Sequence, residues 1–189
     1  IASGIGSFRG LVNNGHQVVT PDDVKGLKLR TMETPIATTF WNSLGEAIAL
    51  PADEIYMSLE TNMVDGLEFH PAGVHLVKLH EVADYFTDVN WWANNAANIM
   101  ISAKAWEDLP EDLQKIVEEA AWEAMELQGE LEIRDHEKAI DEMEELGMQV
   151  HRLTPEERQL WFDHAQSLNN QFREMIGPDI YDEVMPLFQ

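Results

Sequence analysis

An α/β fold crossed by one long helix is what this sequence predicts, and three observations carry the reading. Between Leu27 and Phe69 the pattern runs strand, helix, strand, helix, strand. From Pro110 to Glu145 apolar residues recur by threes and fours without a breaker that would stop a helix. No apolar run approaches the length needed to cross a bilayer, so the apolar residues serve a core rather than a membrane span.

The elements follow in order. Thr20-Pro21-Asp22-Asp23 combines an N-cap residue, Pro at the first helical position and an acid at the third, so a short turn of helix starts there and stops at Gly26. Leu27-Lys28-Leu29-Arg30-Thr31-Met32 alternates apolar with polar, the period of a half-buried strand. Leu27 and Leu29 face the core in this reading, Lys28 and Arg30 face the other way, and Arg30 emerges near the strand's carboxyl end. Pro35 opens a helix with Ile36, Phe40 and Leu44 spaced by four, and Gly45 closes it. A strand over 47–50, a helix over 51–62 and a strand over 64–69 complete the unit, which predicts a largely parallel sheet.

Residues 82–101 are rich in aromatic and β-branched side chains broken by Asn and Asp, and read as two strands with an irregular turn around Asn90 to Asn95. Ser102 caps a short helix through Trp106. The long helix from Pro110 carries a stripe of Leu113, Val117, Ala120, Ala124, Leu127 and Leu131 that is expected to bury one narrow face. About 35 residues at roughly 1.5 Å each give a rod of about 50 Å, longer than one small lobe, so it runs across two. Gly147 ends it. A last strand follows over 148–153, then a capping box at Thr154-Pro155-Glu156-Glu157, then a helical tail broken at Gly177-Pro178.

Composition narrows the function classes. Lys and Arg number 12 against 35 Asp and Glu, a formal charge of -23, which disfavours nucleic acid and anionic membrane surfaces as partners. Such acidity fits a cell-envelope or salt-adapted protein and equally a solubility strategy. With no cysteine, thiolate catalysis and cysteine-based zinc sites are excluded. The chain opens at Ile1 without a start Met or a basic-then-apolar leader, and a processed or truncated N-terminus is the expectation.

Few residues suggest chemistry. Arg30 is one of few cations and stands at the carboxyl edge of a strand, where open α/β sheets bind ligands. Its planar fork suits two-point capture of a carboxylate, and a surface salt bridge is the other reading. In Val64 to Pro71, Glu68 and His70 fall on one side of a strand and Phe69 on the other. Glu68 and His70 invite a metal or acid–base reading, but no third ligand stands at useful spacing, and His75 and His80, five apart, do not share a helix face. Trp91 and Trp92 amid asparagines would make walls for a small organic ligand, or one packs and one is exposed. Trp41, Trp106, Trp122 and Trp161 read as packing residues. No nucleophile motif, phosphate loop or zinc-protease motif is present.

Three stretches in order, "TPDDVKGLKLRT", "LGEAIALPADEIYMSLETNMVDGLEFHP" and "ISAKAWEDLPEDLQKIVEEAAWEA", resemble the solute-binding proteins of TRAP (tripartite ATP-independent periplasmic) transporters, the DctP family. Tyr56, Leu59, Val64, Asp65, Gly66 and Glu68 fall on the family pattern. The resemblance implies a two-lobed, periplasmic-binding-protein-like α/β fold braced by a long lobe-spanning helix, with the N-terminal part of the first lobe missing here. Residues 6–67 would form the second lobe, 68–101 the crossing strands and the return through the first lobe, and 102–189 the long helix, last strand and C-terminal helices. It further implies a periplasmic protein that is not an enzyme, needs no cofactor, does not insert into the membrane, and passes a small organic acid to a TRAP membrane permease.

The same resemblance makes Arg30 the partner of the ligand's carboxylate and places Met32, Glu68, Phe69, His70, Trp91 and Trp92 around the ligand. Family members commonly carry Asn directly after the Glu; Phe69 stands here and implies an apolar wall. Members with metal-assisted binding carry Gln before the arginine, whereas Leu29 stands here, so no metal is expected. The rival reading is an α/β enzyme acting on a small carboxylic acid, with Glu68 and His70 as acid and base. A third is an acidic helical interaction module that uses the stripe from Leu113 to Leu131 to bind a partner helix.

Overall fold

Alternation of apolar side chains along short runs of β-branched and leucine residues yields a mixed sheet, and the helical stripes between them cover it. The computed structural model describes residues 1–89, 93–94 and 97–188, at 93–94 and 187–188 for the backbone alone. The strands are β1 (Ala2–Gly4), β2 (Ser7–Phe8), β3 (Gly10–Asn13), β4 (Lys28–Thr31), β5 (Glu46–Ala49), β6 (Gly66–Phe69), β7 (Tyr85–Asp88), β8 (Ala93–Asn94), β9 (Ala97–Ile99) and β10 (Gln149–Arg152). The helices are α1 (Pro35–Asn42), α2 (Ile55–Glu60), α3 (Pro71–Leu76), α4 (Ala103–Glu107), α5 (Glu111–Glu145), α6 (Pro155–Ser167), α7 (Asn169–Ile176) and α8 (Pro178–Val184).

The main sheet has the order β10-β7-β3-β6-β4-β5. β3 runs antiparallel to both its neighbours, while the β10–β7, β6–β4 and β4–β5 pairs are parallel. Two antiparallel ribbons, β1 with β9 and β2 with β8, stand outside that sheet. The expected parallel unit over residues 27–69 is therefore present, but a strand from residues 1–19, a segment the sequence patterns left unassigned, sits in the middle of the sheet.

Both faces are covered, so the core is double. One cluster joins Leu11, Leu29, Phe40, Trp41 and Trp161; the other joins Val12, Leu67, Phe86, Ile140 and Met143. Successive residues Leu11 and Val12 go to opposite clusters, as the strand pleat requires. This corrects the half-buried reading of β4: Arg30 does point away from Leu29, but that second face is interior, and Arg30 is only 4% exposed.

Several boundaries move. The helix expected over 51–62 is a 3-10 turn followed by α2, and Met63 is exposed. β6 ends at Phe69, and His70 becomes the cap residue of α3, a helix that the pattern did not announce. The tail breaks at Leu168 as well as at Gly177. Trp41 and Trp161 pack in the core as expected, but Trp122 is exposed.

The long helix α5 spans 35 residues as predicted, yet its buried line is different. Ala121, Gly129, His136, Ala139, Ile140 and Met143 are buried, whereas Leu113, Leu127 and Leu131 are exposed. Periodicity weights the large aliphatics. Close approach of a helix to a neighbouring element selects small residues instead, and Gly129, His136 and Met143 recur at heptad spacing along the covered side. The caps agree with expectation: Ser102 Oγ accepts from the Ala105 amide at 3.1 Å, and Thr154 with Glu157 forms a capping box.

Candidate functional site

The carboxyl ends of β4 and β6 lie side by side, with Arg30 opposite Leu67 and Leu29 opposite Gly66 in register. Residues in register share a face of the sheet. Arg30 thus shares one face with Leu67 and Ile48, and Glu68, opposite Leu11, projects from the other. The two side chains leave the sheet on opposite sides of one edge.

Arg9, the single residue between β2 and β3, reaches that edge. Its Nη1 is 3.7 Å from Glu68 Oε1 and also donates to the Glu68 carbonyl oxygen at 3.5 Å, while Nη2 reaches Met32 Sδ at 4.0 Å. Arg30 Nε donates to the Leu50 carbonyl oxygen at 2.9 Å. Tying the guanidinium by Nε fixes its plane, and the terminal nitrogens are the part of the fork suited to a carboxylate.

Arg30 and Glu68 are buried, and Arg9 is largely covered. Glu68 is 3% exposed and the Arg9 side chain 11%. Burial raises the Glu68 carboxyl above its ordinary value, opposed by Arg9, Arg30 and the Trp41 indole. Burial lowers the Arg30 pKa, and Arg9 adds to that, while Glu68 and Glu33 oppose it. His70 is pushed down by burial and then by Arg9, both of which disfavour its protonated form. Arg9 Nε and His70 Nδ1 are buried without a hydrogen-bond partner. Such groups are costly in a core and ordinary in a site built to receive a polar ligand.

Phe69 and His70 form a tilted pair, ring centroids 4.7 Å apart at 35°. Gly73, on the first turn of α3, makes room for them: a Cβ there would overlap both rings. Of the residues singled out from sequence, Arg30, Met32, Glu68, Phe69 and His70 converge on this edge. Trp91 and Trp92 lie outside the described residues. Arg9 was missed, although a cation two residues before the apolar run Leu11-Val12 is a signal the sequence offers. Glu68 and His70 make no hydrogen bond to each other among the described contacts, as β6 ends between them.

Two other places bear comparison. A groove of about 320 Å³ between α3 and α5 is lined by Pro71, Ala72, Leu127, Leu131, Glu132 and Asp135 among others. Its charged rim is acidic, so it suits a carboxylate less well than the arginine edge does. Asp88, His136 and Glu137 place potential metal-ligating atoms within 4.8 Å of one another. His136 Nε2 stands 3.3 Å from Asp88 Oδ1, and the pair ties α5 to the end of β7.

Comparison with known proteins gives these features a family. The model of the DctP family, bacterial extracellular solute-binding protein, family 7, matches residues 2–175. The chain is 30% identical over 161 residues to the C4-dicarboxylate-binding periplasmic protein DctP of Rhodobacter capsulatus, covering 84% of this chain and 48% of that protein. It is 32% identical over 175 residues to the 2,3-diketo-L-gulonate-binding periplasmic protein YiaO of Escherichia coli (strain K12), covering 92% and 51%. A crystal structure of a TRAP periplasmic solute binding protein from Ochrobactrum anthropi, its C-terminus bound in the ligand binding pocket, superposes with a TM-score of 0.88 at 35% identity, over 98% of this chain and 58% of that one. A succinate-bound TRAP protein from Sulfurospirillum deleyianum gives 0.79 at 25% identity, over 98% and 61%. The chain spans about half the length of the curated relatives it matches. With the family model matching nearly all of it, and the fold shared with solved TRAP binding proteins, the chain belongs to the DctP family of bacterial extracellular solute-binding proteins.

Proposed function

We propose that this chain is the ligand-holding portion of a periplasmic solute-binding protein that captures a small organic acid and delivers it to a TRAP membrane permease. The observation that carries the reading is the pair of guanidiniums, Arg30 buried and Arg9 largely covered, at one sheet edge beside unpartnered polar atoms. A charge-assisted pair with a carboxylate, formed away from water, contributes roughly 1.5–3 kcal/mol and fixes the ligand's orientation. Met32, Phe69 and His70 supply a less polar wall, and Trp91 and Trp92 are assigned to the same wall. Residues 6–67 are assigned to one lobe, 68–101 to the crossing segments and 102–189 to the long helix with the last strand and tail. Closure of lobes about the ligand would give the permease a loaded form to distinguish from the empty one.

The relatives are named as binding proteins, which supports transport over catalysis. No helix among the described residues is long and apolar enough to cross a membrane. Calorimetry on Arg30→Ala in the full protein tests the site, with more than about tenfold weaker binding of the acid expected. Unchanged affinity removes Arg30 from the site. Turnover of a bound acid, lost in Glu68→Gln, would favour the enzyme reading instead.

A further inference from the structure

We propose that Asp88, His136 and Glu137 form a binding site for one divalent cation of the zinc class, which staples the long helix α5 to the end of β7. The site uses none of the residues at the arginine edge and does not rest on the carboxylate reading.

Two periodicities bring these residues together. Along β7, Asp88 follows Phe86 by two and faces the same side of the sheet. Along α5, His136 precedes Ile140 by four and Met143 by seven, so it lies on the same side of the helix. Phe86, Ile140 and Met143 share one core cluster, and one step further along each element sets His136 Nε2 at 3.3 Å from Asp88 Oδ1. Glu137 adds a carboxylate oxygen, and one ligand atom from each of the three residues lies within 4.8 Å of the others.

The geometry fits an ion better than a plain hydrogen bond. A charge-assisted bond from nitrogen to a carboxylate settles near about 2.7–2.9 Å, and 3.3 Å is long for one. Two ligands on one tetrahedral zinc, each at about 2.0–2.1 Å, stand about 3.3 Å apart. His136 is 7% exposed and Asp88 4%, and His136 Nδ1 has no hydrogen-bond partner among the described residues. The ring therefore rests on one long polar contact, an unfinished environment for a buried imidazole. Phe8 packs edge-on against it, centroids 5.9 Å apart at 82°, so the ring is already aimed at Asp88 and little is left to order on binding. His136 also lines the groove between α3 and α5, which gives a cation an entry path and supplies water to complete its coordination.

The surrounding charge calls for a cation. Arg152 on β10 stands in register with Asp88 and reaches Asp141 at 2.8 Å, Glu144, and Glu137 at 3.8 Å. Asp88, Glu137, Asp141 and Glu144 thus set four carboxylates around one guanidinium, while Arg134 and Lys138 are engaged at the surface with Asp135 and Glu142. The longest of the Arg152 contacts is to Glu137, whose exposed side chain can swing onto the ion. One imidazole nitrogen with two carboxylate oxygens suits zinc or cobalt(II), whereas magnesium and calcium favour oxygen alone.

The test titrates the chelator-treated chain with Zn²⁺, Co²⁺, Mg²⁺ and Ca²⁺ in turn by calorimetry. One Zn²⁺ per chain is expected, bound about a hundredfold or more tighter than Mg²⁺ or Ca²⁺. Zinc at about a hundredfold its Kd should raise Tm by roughly 5 °C or more. Glu137→Gln, an exposed change, should weaken zinc by about tenfold or more without moving the metal-free Tm, and His136→Gln should weaken it further. His75→Gln breaks the stacked pair of His75 and His80, ring centroids 5.8 Å apart, and controls for adventitious zinc; it should leave the affinity unchanged.

Absence of zinc binding, equal affinity for calcium, or zinc lost in His75→Gln but retained in Glu137→Gln overturns the proposal. If His136→Gln does not fold, Glu137→Gln and the His75→Gln control decide. Every outcome leaves the carboxylate reading where it stands, because Arg9, Arg30 and Glu68 are untouched.

Discussion

Arg9 holds Glu68 across 59 positions of sequence, with Nη1 at 3.7 Å from the carboxylate and 3.5 Å from the carbonyl oxygen of the same residue. The contact joins the residue before β3 to the end of β6 and leaves little of either charge in water. Removing one partner of a buried pair leaves the other uncompensated, which costs about 3–5 kcal/mol. Arg9→Ala is therefore expected to lower stability by about that amount, read by urea denaturation, and to raise the Glu68 pKa further. A loss below about 0.5 kcal/mol would show that the pair is solvent-screened after all.

Gly73 is required by the Phe69–His70 pair rather than by the α3 backbone, since a Cβ there would overlap both rings. Gly73→Ala gains helix propensity but forces the rings to move, and overpacking costs about 1–3 kcal/mol. Reduced ligand affinity together with a lower Tm is expected in calorimetry and thermal melting. Improved stability with unchanged affinity would mean that the rings are free to yield.

Asp23 gives a pH dependence with a definite sign. Burial alone would raise its carboxyl pKa, but the Thr20 amide at 2.7 Å, the Val19 amide at 3.1 Å and the Thr20 hydroxyl outweigh it, and the net shift is downward. A carboxyl with a depressed folded-state pKa contributes stability that is present above its ordinary pKa and lost as pH falls through the depressed one. Asp23→Asn should thus flatten the acid limb of a stability–pH profile while moving the neutral-pH Tm down. An acid limb parallel to wild type would assign that limb to other carboxylates.

Ile140 tests the seam of α5. It is fully buried beside Met143 in the cluster that includes Val12 and Phe86. Truncation of such a side chain typically costs 2–5 kcal/mol, so Ile140→Ala should lose about 3 kcal/mol in denaturant unfolding. A loss within about 0.5 kcal/mol would show that α5 is not anchored there.

Much of the fold was legible in local pattern. The units β4-α1-β5 and α2-β6, the cap at Ser102, the box at Thr154 and the length of α5 each depend on neighbours within a few residues, where propensity and capping act. Arg30 was legible for the same reason, because alternation carried it to a strand end. The failures have two causes. β3 spans only Gly10–Asn13 and is buried on every residue, so it lacks the alternation that marks a half-buried strand. The buried line of α5 runs through Gly129, His136 and Ala139, which a search for large aliphatics passes over.

What the sequence determined by itself was the order of elements, the placing of Arg30 at a carboxyl edge and, through three ordered motifs, the family. Only the tertiary structure decided that β3 enters the middle of the sheet between β6 and β7, that the second face of β4 is interior, and that Arg9 meets Glu68. Those are pairings between distant segments, and their free energy comes from excluding water at both faces of the sheet at once. A short run such as Arg9-Gly10-Leu11-Val12 carries no local signal of that partner, because its ladder partners are the distant strands β6 and β7.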